Sequence, residues 1–239
     1  MPHVLAASLA MALALLAQDR HPPLPLAIIH TWVETTDRLP AEMGFARVEV
    51  LNTGQRTILA WGVKYVLQRT DGHPVPSSGF STDSAAGLPE HRTMAVAPGQ
   101  TVHDAGSRVR VPADALFSDV AVTFVIFDDD SALGDEREIA WHFARRRERQ
   151  VFWQKMQTIL DEATAHETES IAVLSRIRRA MDAETDPTFR EGTYYNEILA
   201  RMSASRMESA HSTPEGVLEN IRATVSAQKA NADAHANRR

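Results

Sequence analysis

The densest group of oxygen ligands in the sequence is Asp128-Asp129-Asp130-Ser131, with Asp135, Glu136 and Glu138 close behind. Such a group invites calcium, which needs several oxygens converging on one point. The calcium-binding loop of helix–loop–helix proteins wants acidic or amide residues at its first, third and fifth positions and glycine at its sixth. Counted from Asp128, the fifth position is Ala132 and the sixth is Leu133, so the pattern fails. The expectation is a solvated strand-to-helix turn whose later acids sit in the first helical turn, where the helix dipole favours anions.

The other reactive side chains are scattered. His166-Glu167-Thr168-Glu169 lacks the second histidine of a zinc helix. His30 and His103 fall in separate strand-like segments, and no histidine pair is spaced to bind metal on a predicted helix. Ser77-Ser78-Gly79 lies in a proline-rich stretch without the G-x-S-x-G context of a nucleophile elbow. No glycine-rich phosphate loop occurs, and there is no cysteine, which removes thiolate, zinc–thiolate and iron–sulfur chemistry. No catalytic residue, metal or cofactor is therefore expected. Arg145-Arg146-Arg147-Glu148-Arg149 points in several directions on a helix and reads as a solvated face; the alternative is contact with anionic lipid or an acidic partner. Trp32, Trp61, Trp141 and Trp153 are candidates for a sugar-stacking platform. Trp61 falls in the apolar register of a strand and is expected in the core. Trp141 and Trp153 flank a helical stripe and are expected to dock it.

The elements that must carry these residues are organised around Gly44–Gly72. Ala46, Val48 and Val50 alternate with Arg47 and Glu49, and Leu59, Trp61, Val63, Tyr65 and Leu67 alternate with their neighbours. Period two means two strands, each with one buried face. Asn52-Thr53-Gly54-Gln55 supplies turn chemistry and predicts a hairpin. Leu26–Thr36 predicts a first strand, and Gln100–Val111 a later one opened by the Pro98-Gly99 turn. Asp119–Phe127 is apolar on both faces, the mark of a central strand covered twice. His73–Ala95 is rich in Pro, Ser, Gly and Ala and reads as a long loop hiding a short edge strand near Gly79–Thr82.

From Asp135 the period changes. Asp135 or a neighbour caps a helix, and Ile139, Phe143, Val151, Phe152, Met156, Ile159, Leu160, Ala163, Ile171, Leu174, Ile177 and Met181 recur at helical spacing. No Pro or Gly interrupts Asp135–Asp186, which predicts one long helix with a bend near Thr164–Thr168. Tyr194–Ser209 predicts a second helix. Thr213-Pro214-Glu215 predicts the start of a third, with Thr as cap and Pro at the first position. Ala230–Arg239 reads as a fraying tail. Ile159, Ile171, Leu174 and Ile177 lie far from the β-region, so they are the candidate protein-contact residues. They would be covered by the later helices, by a second copy of the chain or by a partner helix.

Of 239 residues 44% are hydrophobic and 23% charged, enough for a real core and against wholesale disorder. A net charge of -6 argues against nucleic acid. Val4–Ala17 is apolar, too short for a comfortable membrane span, and followed at once by Gln18-Asp19-Arg20, as in a cleaved secretory signal. No later stretch predicts a membrane span.

The stretch FARVEVLNTGQRTILAWGVKYVLQRTDG, then Ala97-Pro98-Gly99-Gln100-Thr101, then VAVTFVIF resembles immunoglobulin-like sandwiches of exported bacterial envelope proteins over about residues 26–130. The resemblance implies a sandwich fold and an extracytoplasmic setting, and no activity. The expected fold class is α+β multidomain: an N-terminal antiparallel Ig-like β-sandwich followed by an all-α region with one long helix and two shorter ones. The expected divisions are a signal at 1–17, sandwich at 18–130, helices at 135–230 and a tail at 231–239. The expected function is a non-enzymatic exported binding or structural module of the cell envelope. It acts through protein contacts, with an unknown envelope protein or by self-association through the helical region. The alternative is an envelope hydrolase, or an accessory subunit of one, with its site in the 73–97 loop.

Overall fold

The computed structural model describes residues 23–36, 39–85, 95–186, 189, 196, 198, 199 and 213–236. Met1–Ala17, read as a signal, and nearly all of Tyr194–Ser209, read as a helix, lie outside them; Ile198 is helical and buried.

Among the described residues seven antiparallel strands form two sheets. Strands β1 (Leu26–Glu34), β2 (Met43–Asn52) and β5 (Thr101–Pro112) make one, in the order β1-β2-β5. Strands β4 (Pro74–Asp83), β3 (Ile58–Arg69), β6 (Ala115–Phe127) and β7 (Ala132–Gly134) make the other, in that order. The sheets face each other across one apolar core. Ala46, Val48 and Val50 come from β2, Trp61, Val63, Tyr65 and Leu67 from β3, and Val125 and Phe127 from β6. These are the positions that the two-residue period selects, except at the start of β3, where a register shift between Ile58 and Ala60 puts Ile58 in the core in place of the expected Leu59.

The expected β2–β3 hairpin is not formed. Each strand turns its apolar face to the other across the core instead of pairing edge to edge. Alternation reports that one face is buried; it does not report the sheet to which a strand belongs. The Asn52-Thr53-Gly54 corner makes the crossing. The Asn52 amide donates to the carbonyls of Arg56 and Val96, both at 2.8 Å, and its oxygen accepts from Gly54 N at 2.9 Å. Asn52 therefore serves through its buried side chain, not through a positive φ. The hairpin that does form joins β3 to β4 through Asp71-Gly72, where Gly72 has φ 85°. In place of a short edge strand at Gly79–Thr82 within a loop, β4 spans Pro74–Asp83. Its two prolines, Pro74 and Pro76, are tolerated because it is an edge strand.

The upper half of the four-stranded sheet is covered on its outer face as well. Ala60, Phe124 and Ile126 point outward there and pack under Phe143 and Ile139 of helix α1 (Glu136–His166). This is why β6 reads as apolar on both sides. A Cβ at Gly62 would lie 2.5 Å from the Phe124 ring, so only glycine lets that ring settle over β3. The sandwich ends at Gly134, four residues beyond the expected boundary. Gly134 takes φ 109°, and Asp135 then caps α1 by accepting from Arg137 N at 2.9 Å and Glu138 N at 3.1 Å.

The single long helix is two. It breaks after His166, where Glu167 is extended, and resumes as α2 (Ser170–Ala183). Between Ala163 and Val173 only Ile171 is strongly apolar, so nothing anchors a continuous rod there. Folding back brings Val173, Leu174, Ile177 and Met181 onto the Met156, Ile159 and Leu160 side of α1. Lys155 of α1 pairs with Glu184, just past the end of α2. Helix α3 (Pro214–Ala236) starts as its sequence dictates, with Thr213 Oγ1 accepting from Gly216 N at 3.2 Å. Its C-terminal turns do not fray. Ala232 is buried, Asn231 donates to the Ala85 carbonyl at 2.8 Å, and Asp233 accepts from Gln150 at 2.9 Å. Polar residues that read as a solvated tail are its hydrogen-bonding contacts. No helix among the described residues is long and apolar enough to cross a membrane.

Candidate functional site

Where α1 leaves the sheet, a cleft of about 420 Å³ opens between its first two turns and the outer face of β3 and β4. Small residues make the depression: Gly79 and Ser81 face out from β4. Lys64, Arg137, Glu138, Trp141 and His142 form the walls. Lys64 Nζ lies 2.6 Å from Glu138 Oε1, and this hydrogen bond and charge raise the lysine's pKa. Thr123 Oγ1 donates to the other Glu138 oxygen at 2.7 Å. Asp135, 4.0 Å from Lys64, is held below the usual carboxylate range, chiefly by the Glu138 and Arg137 backbone N–H groups it caps. Trp141 is 55% exposed and presents its indole at the rim; it does not dock the helix as expected. Trp61 and Trp153 are fully buried.

His142 connects this cleft to a buried charge cluster behind it. Its ring packs on Phe124, with centroids 4.8 Å apart, and its Nδ1 lies 3.5 Å from Asp83 Oδ2. Its Nε2 is buried and has no hydrogen-bond partner among the described residues. Asp83 is gripped by Arg146 through two parallel bonds, Nε to Oδ2 at 2.8 Å and Nη2 to Oδ1 at 2.9 Å. The remaining Arg146 nitrogen, Nη1, donates to Asp130 Oδ1 at 2.7 Å. Burial alone would push the Asp83 pKa up. Hydrogen bonds from His142 and Arg146 and the guanidinium charge outweigh it and bring the group to about 2. Next along α1, Arg149 donates to the Ala85 carbonyl and to Gln228 of α3.

These residues correct two expectations. Arg146 and Arg149 are not a solvated face; they are 2% and 1% exposed. Asp130 is not in a solvated turn; it takes φ 61° and turns its carboxylate inward, while Asp129 stays outside with Arg56 and Ser131. The signal was present as a gap. The apolar stripe of α1 skips from Phe143 to Phe152, and positions 146 and 149 fill that gap on the same face.

Of the nominated contact residues, Ile159, Leu174 and Ile177 are buried in the helical core, while Ile171 is 62% exposed. The structure thus does not bring the four together as one surface. Of the 73–97 segment, 74–83 is strand, its end residue Asp83 enters the buried cluster, and 86–94 lies outside the described residues. Among the described residues no group of three or more His, Asp or Glu side chains is arranged to hold a metal.

No family model matches the chain, and no curated protein matches it. A solved structure of a hypothetical protein from Peptoclostridium difficile 630 is similar at 13% identity and a TM-score of 0.30, covering 49% of this chain and 89% of that one.

Proposed function

We propose that the protein is a non-enzymatic, exported binding module of the cell envelope, in which an Ig-like sandwich and a helical bundle act as one rigid body in protein contacts. The observation that carries this reading is the buried Asp83–Arg146–Asp130 bridge, which ties a strand end, the β6–β7 turn and α1 together. Buried ion pairs contribute little net stability but specify one geometry, which suits a body that presents two surfaces at a fixed angle. The only strand residue in the 73–97 segment with a histidine beside its carboxylate is Asp83, and both its oxygens are committed to Arg146. That commitment favours binding over hydrolysis.

The strand division supports the Ig-like reading. β1, β2 and β5 on one sheet and β3, β6 and β7 on the other follow the ABE and CFG division of such domains. β4 lies beside β3 instead of completing the first sheet. Among the described helical residues Val151 and Ile171 of the apolar stripe stay exposed, as does Trp141 at the cleft, so Val151 and Ile171 are the stripe side chains open to a partner. The test is affinity capture of the mature protein's partners from its own envelope fraction, run in parallel with the Val151→Asp/Ile171→Asp variant. A specific partner held by the wild type and lost by the variant supports the reading. Equal capture by both, or a mature protein recovered from the cytosol with Met1 intact, overturns it.

A further inference from the structure

We propose that the cleft between α1 and the outer face of β3 and β4 binds a neutral saccharide, a ligand beyond the protein contacts proposed above. The first observation is the orphan nitrogen of His142. The side chain is 5% exposed, lines the cleft, and its buried Nε2 has no partner among the described residues. Asp83 lies on the Nδ1 side of the ring, so Nε2 is the nitrogen left to a ligand. A buried polar nitrogen costs free energy unless a partner reaches it. A ligand hydroxyl, which both donates and accepts, satisfies that nitrogen whichever way the ring is protonated, once a small turn of the ring opens it to the cleft.

The second observation is charge. Lys64 and Arg137 are balanced by Asp135 and Glu138, so the lining as a whole selects neither anion nor cation. It offers donors and acceptors side by side, the Lys64 ammonium against the Glu138 carboxylate, with the Ser81 hydroxyl opposite. Hydroxyl groups, which donate and accept at once, match such a wall. The third is Trp141, whose half-exposed indole stands at the rim beside these polar groups. An aromatic face beside mixed polar edges fits a pyranose ring, which carries an apolar C–H face and a hydroxyl periphery. The volume of about 420 Å³ lies within the range of small-molecule sites.

The test titrates the full chain with N,N′-diacetylchitobiose, cellobiose and maltose at millimolar concentrations, followed by calorimetry and tryptophan fluorescence, with sialyllactose as an anionic control. The expected result is saturable binding of at least one neutral disaccharide. Binding should weaken roughly tenfold or more in Trp141→Ala, which should still unfold cooperatively because the indole is half exposed and outside the apolar cores. His142→Phe, which removes that nitrogen, should lose binding as well; if it fails to fold, Trp141→Ala decides. No saturation by any of the three sugars, binding unchanged in Trp141→Ala, or preference for sialyllactose overturns the proposal. Partner capture, which depends on Val151 and Ile171, is indifferent to Trp141→Ala, so the two readings fail separately.

Discussion

The interior of the sandwich and its junction with the helices are both buried, yet they are built differently. Between the sheets the contacts are apolar: Trp61, Tyr65, Leu67, Val48, Val50 and Phe127 interlock with no ion pair among them. At the junction a small apolar patch, Phe124, Ile126 and Phe143, lies beside buried Arg146, Arg149, Asp83 and Asp130. An apolar core stabilises in proportion to the area it removes from water, through contacts that have no single required direction. A buried bidentate arginine tolerates none, because a displaced partner leaves an uncompensated charge. The first region holds the fold; the second fixes where the helices sit on it.

Four expected outcomes bear on that contrast, from the largest effect to the smallest. Trp61→Ala in the sandwich and Trp153→Ala in the helical core should each cost about 3–5 kcal/mol in denaturant unfolding. Asp83→Ala should cost about as much, roughly 3–5 kcal/mol, because Arg146 is left buried without its partner. The discriminating variant is the triple replacement Asp83→Leu/Arg146→Met/Asp130→Asn, with Asn at 130 because it tolerates the left-handed backbone there. It should recover wild-type stability or exceed it, which no truncation of the apolar core will do.

The third outcome is acid sensitivity. The folded pKa of Asp83, about 2, lies below its ordinary 3.8. A depressed carboxylate contributes stability that is complete above about pH 4 and lost as pH falls through about 2. A depression of this size corresponds to about 2 kcal/mol. Stability measured from pH 5 to 2 should therefore fall less steeply in Asp83→Asn than in the wild type; parallel curves would place the acid-sensitive group elsewhere. The smallest effects are local. Asp135→Ala removes the α1 cap and should cost about 1 kcal/mol, and Ile171→Ser should change stability by less than about 0.5 kcal/mol.

Much of the architecture was legible in the residues. The two-residue period of β2 and β3, the Asp135 and Thr213 caps and the Gly72 and Gly99 turns all follow from local chemistry, whereas the bend expected near Thr164–Thr168 is a full break. What was not legible depends on distant partners. Nothing local distinguishes a β2–β3 hairpin from a crossing between sheets, because both bury the same faces. The arginine run gave the wrong face because solvation is the default for arginine; Asp83 and Asp130, 63 and 16 residues away, make burial of Arg146 possible, as Ala85 and Gln228 do for Arg149. The tail reading fails up to Ala236 for the same reason, since Asn231 and Asp233 find partners at Ala85 and on α1. Trp141 was expected to flank the stripe and dock it, and sits instead at the rim of a cleft that exists only once α1 crosses β3 and β4.

The central claim is that the buried bridge makes the sandwich and the helices one cooperative body. Differential scanning calorimetry of the wild type and of Asp83→Ala tests it most directly. The wild type should unfold in one transition whose calorimetric and van't Hoff enthalpies agree. Asp83→Ala should resolve into two, the helices melting first and the sandwich later. Two transitions already present in the wild type, or a single transition retained in Asp83→Ala, would contradict it.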